Sequence, residues 1–201
     1  MKYGQKPMPS PRLEAFSDGV FAIIITIMVL ELHAPEGGAL ADLYPLVPVI
    51  FSYILSFVYV IIYWNNHHHL LKAMMRPSAG VMWANAHLLF WLSLIPFATA
   101  WLGESHGETV PAILYGVVLL AAAIAYFILQ IRIVAAHGAN SALARALGKD
   151  LKGKLSPVLY IVAILAAFVA PTLAYIIYAA VALMWIIPDR RIEKVFDEFR
   201  E

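Results

Sequence analysis

Apolar positions in this chain gather into unbroken stretches about as long as a bilayer is thick, and polar positions collect between them. The stretches Leu13 to Leu32, Tyr44 to Trp64, Met82 to Leu102 and Val110 to Ile131 each supply the roughly 20 apolar residues that a spanning helix requires. A last block, Leu155 to Ile187, is too long for one crossing, given a rise of about 1.5 Å per residue and a hydrocarbon core about 30 Å thick. Pro171-Thr172 near its middle predicts a tight turn between two short or tilted helices, over 155–170 and 173–187. The pattern therefore predicts an all-α membrane protein with six transmembrane helices.

Composition agrees, with 62% of the 201 residues hydrophobic and 13% charged. A soluble domain of this length could not hide so much apolar surface in one core. Charge placement then fixes parity and orientation. With the N-terminus in the cytoplasm, the inner segments are 1–12, 65–81, 132–154 and 188–201, and they hold all 14 Lys and Arg. Glu31, Glu36, Asp42, Glu104 and Glu108 fall on the first two outer connections and the adjoining helix ends. An even number of spans with both termini cytoplasmic satisfies the positive-inside rule, whereas five spans would put Arg190, Arg191, Lys194 and Arg200 outside. The first apolar stretch ends in Glu-Leu-His rather than at a small-residue cleavage site, so it reads as a retained helix and not a signal peptide. Residues 1–201 read as a single six-helix transmembrane domain. The basic inner face suits topology and anionic lipid rather than nucleic acid. Two amphipathic segments are expected at the inner surface, a short helix over Ala142 to Leu147 and the tail from Asp189 to Glu201.

Polar residues inside lipid are costly and must face protein or a wet path. The first helix begins Arg12-Leu-Glu-Ala-Phe16-Ser17-Asp18 and then turns almost wholly apolar. Ile23, Thr26, Ile27 and Leu30 follow the i, i+3, i+4, i+7 spacing of one helix face. That face reads either as an ordinary lipid-facing or packing stripe or as the narrow part of a pore that gates by dewetting, with Thr26 its one side-chain oxygen. The second helix ends in His67-His68-His69. Consecutive residues lie about 100° apart on a helix and cannot converge on one metal ion; one histidine is expected to turn inward toward Asp18 while the others meet water. Asn85 in the third helix falls at the same depth, so a buried Asp, Asn and His network is expected if the first three helices touch. Tyr115, Tyr126, Gln130, Tyr160, Tyr175 and Tyr178 read as interfacial belt residues or isolated packing contacts, and the last three helices as scaffold.

The motif Arg12-x-x-x-Phe16-Ser17-Asp18, with Trp64-x-x-His67-His68, Trp83-x-Asn85 and Pro96-Phe97, resembles the signature of the transmembrane protein 175 family, the endosomal and lysosomal potassium channels and their short prokaryotic relatives. The resemblance implies a homotetramer in which the first helices line a central pore. Counted from Phe-Ser-Asp, it puts the hydrophobic constriction on Ile23, the pore threonine on Thr26 and further narrow levels on Ile27 or Leu30. It also implies a hydrogen-bonded network joining Arg12, Ser17 and Asp18 to His67 or His68, Trp83 and Asn85. The expected activity is passive, modestly selective conduction of K+ among monovalent cations, with no enzymatic activity and no cofactor or bound metal beyond the permeant ion, in a prokaryotic inner membrane. A proton-coupled transporter using Asp18 and a histidine relay is the alternative, although no inverted repeat or pair of broken helices is evident.

Overall fold

The computed structural model describes residues 10–72, 74, 77–137 and 150–186. Both amphipathic segments expected at the inner surface lie outside these residues. The described chain is helical almost throughout: α1 (Ser10–Leu30), α2 (Val47–Lys72), α3 (Ala79–Ser93), α4 (Ile95–Glu104), α5 (Thr109–His137), α6 (Leu151–Ala167) and α7 (Pro171–Ile186). A 3-10 turn over Leu40–Leu46 leads into α2, so the regular helix begins slightly later than the apolar pattern suggests.

The stretches Pro11–Leu30, Leu40–Lys72, Ala79–Glu104 and Thr109–Ala136 are long and apolar enough to cross a bilayer. The third of these is not one smooth helix. Pro96 lacks an N–H and its ring crowds the preceding turn, so the helix breaks at Leu94 and restarts as α4 with the proline in its first turn. The last two helices are shorter, at 17 and 16 residues. Pro171 opens α7 at the position where a proline's missing donor costs nothing, and Phe168, Val169 and Ala170 close α6 through hydrogen bonds to Leu165 and Ala166. Lys152 Nζ near the start of α6 donates to the Met184 carbonyl near the end of α7 at 3.0 Å. The pair is therefore an antiparallel hairpin that returns the chain to the end from which it came.

Packing runs around the bundle from α1 to α2, α7, α6, α5 and the α3–α4 pair, which closes back on α1, while α2 and α4 also meet across the middle. Small residues and polar contacts set the closest approaches, as expected where lipid removes the hydrophobic drive between helices. A Cβ on Gly103 of α4 would lie 2.8 Å from the Val49 Cα and 2.5 Å from the Ser52 Oγ of α2. Next to this approach, Thr99 donates to Ser56 Oγ at 2.7 Å, and Ser56 Oγ and the Tyr115 hydroxyl share a hydrogen bond of 2.9 Å.

Of the tyrosines read as belt residues or isolated packing contacts, Tyr115, Tyr160 and Tyr178 pack inside the bundle, as one cluster rather than singly. Tyr59, Tyr115, Tyr160 and Tyr178 are at most 2% exposed and sit together inside the bundle. The Tyr59 hydroxyl donates to the Tyr178 carbonyl at 2.7 Å, and the Tyr178 hydroxyl donates to the Ala112 carbonyl at 3.0 Å. The rings of Tyr115 and Tyr178 meet edge-on at 5.4 Å between centroids. The last three helices thus supply a polar-tipped aromatic core that ties α2 to α5, α6 and α7. Gly103→Ala should drive α4 off the α2 backbone and cost about 1–3 kcal/mol, as overpacking does. A lowered thermal midpoint in detergent, against an unchanged one for Gly38→Ala where no atom lies within 4 Å, checks this.

Candidate functional site: the two faces of helix α1

One face of α1 is closed against its own subunit. Leu13, Ser17, Phe21, Ile24 and Met28, spaced three and four residues apart, are all buried where α1 meets α2, α3 and α4. The opposite face is bare. Phe16 is 63% exposed, Ile23 59%, Ile27 42% and Leu30 71%. Thr26 is also exposed, and its hydroxyl donates back to the Ala22 carbonyl at 2.9 Å. All four residues of the candidate pore stripe therefore point away from the subunit that carries them. Among the described residues of the chain, none packs over this stripe.

The buried face carries a polar clasp at its start. Ser17 Oγ donates to the Leu13 carbonyl at 2.9 Å, which leaves its lone pairs to accept from Asn85 Nδ2 at 3.0 Å. Asn85 Oδ1 then faces His67 Nε2 at 2.6 Å. Because the amide nitrogen is committed to Ser17, its oxygen must accept, so the histidine proton sits on Nε2. His67 and Ser17 are fully buried and Asn85 is 1% exposed. The His67 ring packs on Phe21, 5.5 Å between centroids, and its Nδ1 has no hydrogen-bond partner among the described residues.

A second, more exposed set of contacts lies alongside. Trp64 Nε1 donates to Asp18 Oδ1 at 2.9 Å, and His68 Nδ1 meets Glu14 Oε1 at 2.9 Å. The Trp64 and His68 rings stack at 5.9 Å, which couples the two contacts. α1 is thereby fastened to α2 through Asp18 and Glu14 and to α3 through Ser17.

These positions sort the residues expected from sequence. Ser17, His67 and Asn85 form one hydrogen-bonded chain, whereas Asp18 and His68 belong to the neighbouring set. Trp83 joins neither; it is 78% exposed on the outer side of α3. Arg12 is also exposed. The inward histidine faces Asn85 rather than Asp18, so the direct contact that an Asp18–His67 proton relay requires is not made. Sequence reasoning gave Trp64 no partner and passed over Glu14; their spacing from His68 and Asp18 along two adjoining helices was the available signal.

Replacing Asn85 by Leu strips partners from both Ser17 and His67. Each buried polar group left unsatisfied costs about 1–3 kcal/mol, so Asn85→Leu should lower thermal stability in detergent well beyond Ile124→Leu, which changes only an exposed side chain of α5. Equal losses from the two substitutions would show that the chain of bonds from Ser17 to His67 contributes little.

Known proteins resemble this chain in sequence and in fold. The profile of the family described as endosomal/lysosomal potassium channel TMEM175 matches residues 12–96, the stretch from Arg12 through α1, α2 and α3 to Pro96. A potassium channel of Chryseobacterium sp. (strain P1-3) is 51% identical over 191 residues, covering 95% of this chain and 100% of that one. A potassium channel of Chamaesiphon minutus is 36% identical over 124 residues, 57% of this chain and 61% of its own. The crystal structure of a lysosomal potassium-selective channel TMEM175 homolog from Chamaesiphon minutus matches the fold with a TM-score of 0.79 at 29% identity, covering 89% of this chain and 96% of that one. A bilayer-length helix with a polar clasp behind it and an unpartnered apolar stripe in front, in a chain aligned along its length with such a relative, belongs to the TMEM175 family.

Proposed function

We propose that the protein is a K+ channel in which four copies bring their α1 helices together around a central pore, with both termini in the cytoplasm of a prokaryotic cell. The observation that carries this reading is the exposed stripe Ile23, Thr26, Ile27 and Leu30, which no part of its own chain covers among the described residues. A single α1 cannot enclose an ion, so conduction needs several copies arranged in a closed ring. The names of the bacterial relatives support potassium as the ion. The basic residues of segments 1–12, 65–81, 132–154 and 188–201 support the orientation.

In this arrangement Ile23 forms an apolar ring that a hydrated cation crosses only by shedding water, and Thr26 offers a hydroxyl ring one turn further on. The chain contains no Thr-Val-Gly-Tyr-Gly segment, so a filter of stacked backbone carbonyls of the usual kind is not built. Preference for K+ then rests on dehydration, which costs K+ less than the smaller Na+, and it is modest. Asp18 lies behind the stripe, bonded to Trp64, and acts by holding α1 in place rather than by touching the ion.

Purified protein in liposomes under a K+ gradient, with Na+ and proton gradients as controls, should pass K+ passively and faster than Na+. Ile23→Asn puts an amide where the apolar ring stood and should raise the flux several-fold. An unchanged flux would reject Ile23 as the constriction, and transport coupled to protons at fixed stoichiometry would reject the channel itself.

A further inference from the structure

The geometry points to a second site, a binding pocket for a small neutral polyol, between α2, α5, α6 and α7 of each chain. It lies within one copy and needs no ring, so it stands or falls apart from the pore. A cavity of about 60 Å³ opens there, with Tyr63 and Asn66 of α2, Tyr126 and Gln130 of α5, and Asp150 and Lys154 around the start of α6 on its walls. At roughly 10–15 Å³ for each water, the space holds about four to six water-sized groups. Asn66 and Lys154 fall in segments 65–81 and 132–154, which puts the cavity on the side proposed as cytoplasmic.

The walls carry polar groups that the chain leaves incomplete. Tyr63 is 9% exposed, and its hydroxyl makes no hydrogen bond among the described residues. Gln130 is 8% exposed. It meets the Tyr126 hydroxyl, whose own proton goes to the Asn66 carbonyl at 3.2 Å. An amide has a donor end and an acceptor end, so one end of Gln130 is left over. Asn66 Nδ2 donates to the Ile62 carbonyl at 2.8 Å, which leaves Oδ1 as an acceptor. A hydroxyl and two amides thus face one space with bonds to spare, and burial makes each costly until a guest answers it.

Charge selects against an ionic guest. Asp150 caps α6 by accepting from the Gly153 N–H at 2.9 Å, and Lys154 follows one turn later with the opposite sign. Attraction of an ion to one is therefore offset by repulsion from the other, and the neutral groups decide. They lie among aromatic rings, those of Phe127, Tyr160 and Trp185 included, on which water gains little and C–H groups pack well. A polyol offers both parts, hydroxyls that donate and accept toward Tyr63, Asn66 and Gln130 and a carbon skeleton for the rings. Replacing loosely held waters at the rings while keeping the hydrogen bonds is favourable. A triol of about six non-hydrogen atoms matches the volume. Asn66 directly precedes His67, so the guest adjoins the turn of α2 that holds Asn85.

Purified full-length protein in deuterated detergent, titrated with glycerol, should give saturable transfer of magnetisation from protein protons to the glycerol C–H protons. Tyr63→Phe removes only the hydroxyl and Gln130→Met only the amide, and each should weaken the apparent affinity about five-fold, the worth of one neutral hydrogen bond. Ala123→Met, which narrows the cavity, should abolish the transfer. Monodisperse elution checks that each variant folds, and two separate polar variants keep the test decisive if one does not. Transfer that never saturates in the unaltered protein would leave the cavity to water alone and overturn the site. Unchanged affinity in both polar variants would overturn it by placing the glycerol elsewhere. Tighter saturable binding of glycerol 3-phosphate or of ethanolamine, weakened by the same substitutions, would overturn the neutral class.

Discussion

A helix that enters lipid carrying a serine and a carboxylate must find answering groups on its neighbours, because the solvent supplies none. That constraint organises the first half of the chain. Ser17 requires Asn85, Asn85 then requires a donor at its oxygen, and His67 supplies it. Asp18 requires a donor of its own and takes the Trp64 indole. Three helices are thereby fixed in rotation and depth, and the orientation of α1 follows. With Ser17 turned inward, the 3.6-residue repeat turns Phe21, Ile24 and Met28 inward too, and Ile23, Thr26, Ile27 and Leu30 outward.

How far this was legible in the sequence depends on which signals survive in lipid. Apolar length revealed the spans, and Lys and Arg placement set the parity, because both reflect the cost of putting charge in hydrocarbon. Pro171 marked the last turn for the simple reason that proline cannot continue a preceding helix but can begin one. The choice between packing stripe and pore stripe on α1 was not legible. Both faces are built mainly from isoleucine, leucine and phenylalanine, since a membrane protein's interior and exterior share one chemistry, and periodicity groups such residues without saying which group faces out. Exposure in the structure shows only which face packs against its own subunit and which turns away from it.

The misread aromatics follow from the same limit. Tyrosine prefers the interface in spans, which is why Tyr115, Tyr160 and Tyr178 read as belt residues or isolated packing contacts rather than as one cluster. A hydroxyl that reaches a backbone carbonyl, as those of Tyr59 and Tyr178 do, is equally stable inside a bundle. Finding that carbonyl requires the tertiary arrangement. Trp83 and Trp64 show the reverse error: both sit beside motif residues, but one turn of helix decides that Trp64 meets Asp18 while Trp83 faces out. The break at Leu94 had a visible cause in Pro96, yet whether a proline bends a helix or interrupts it depends on what the neighbours allow.

The attachment of α1 is unequal along its length, and the inequality has a mechanical sense. Its polar contacts to other helices, through Glu14, Ser17 and Asp18, all fall in its first three turns. Beyond them Ile24 and Met28 pack by van der Waals contact, which in lipid is weakly distinguished from contact with acyl chains. Across from this half, the third span is interrupted at Leu94 and continues as the short helix α4. The end of α1 next to the signature is thus pinned by directional bonds. The end carrying Ile27 and Leu30 is held by contacts that tolerate small rotations, and a rotation of α1 there would change the width of any ring these residues form. In the proposed ring, such an attachment would keep register at the clasp and leave the level of Ile27 and Leu30 the less firmly held.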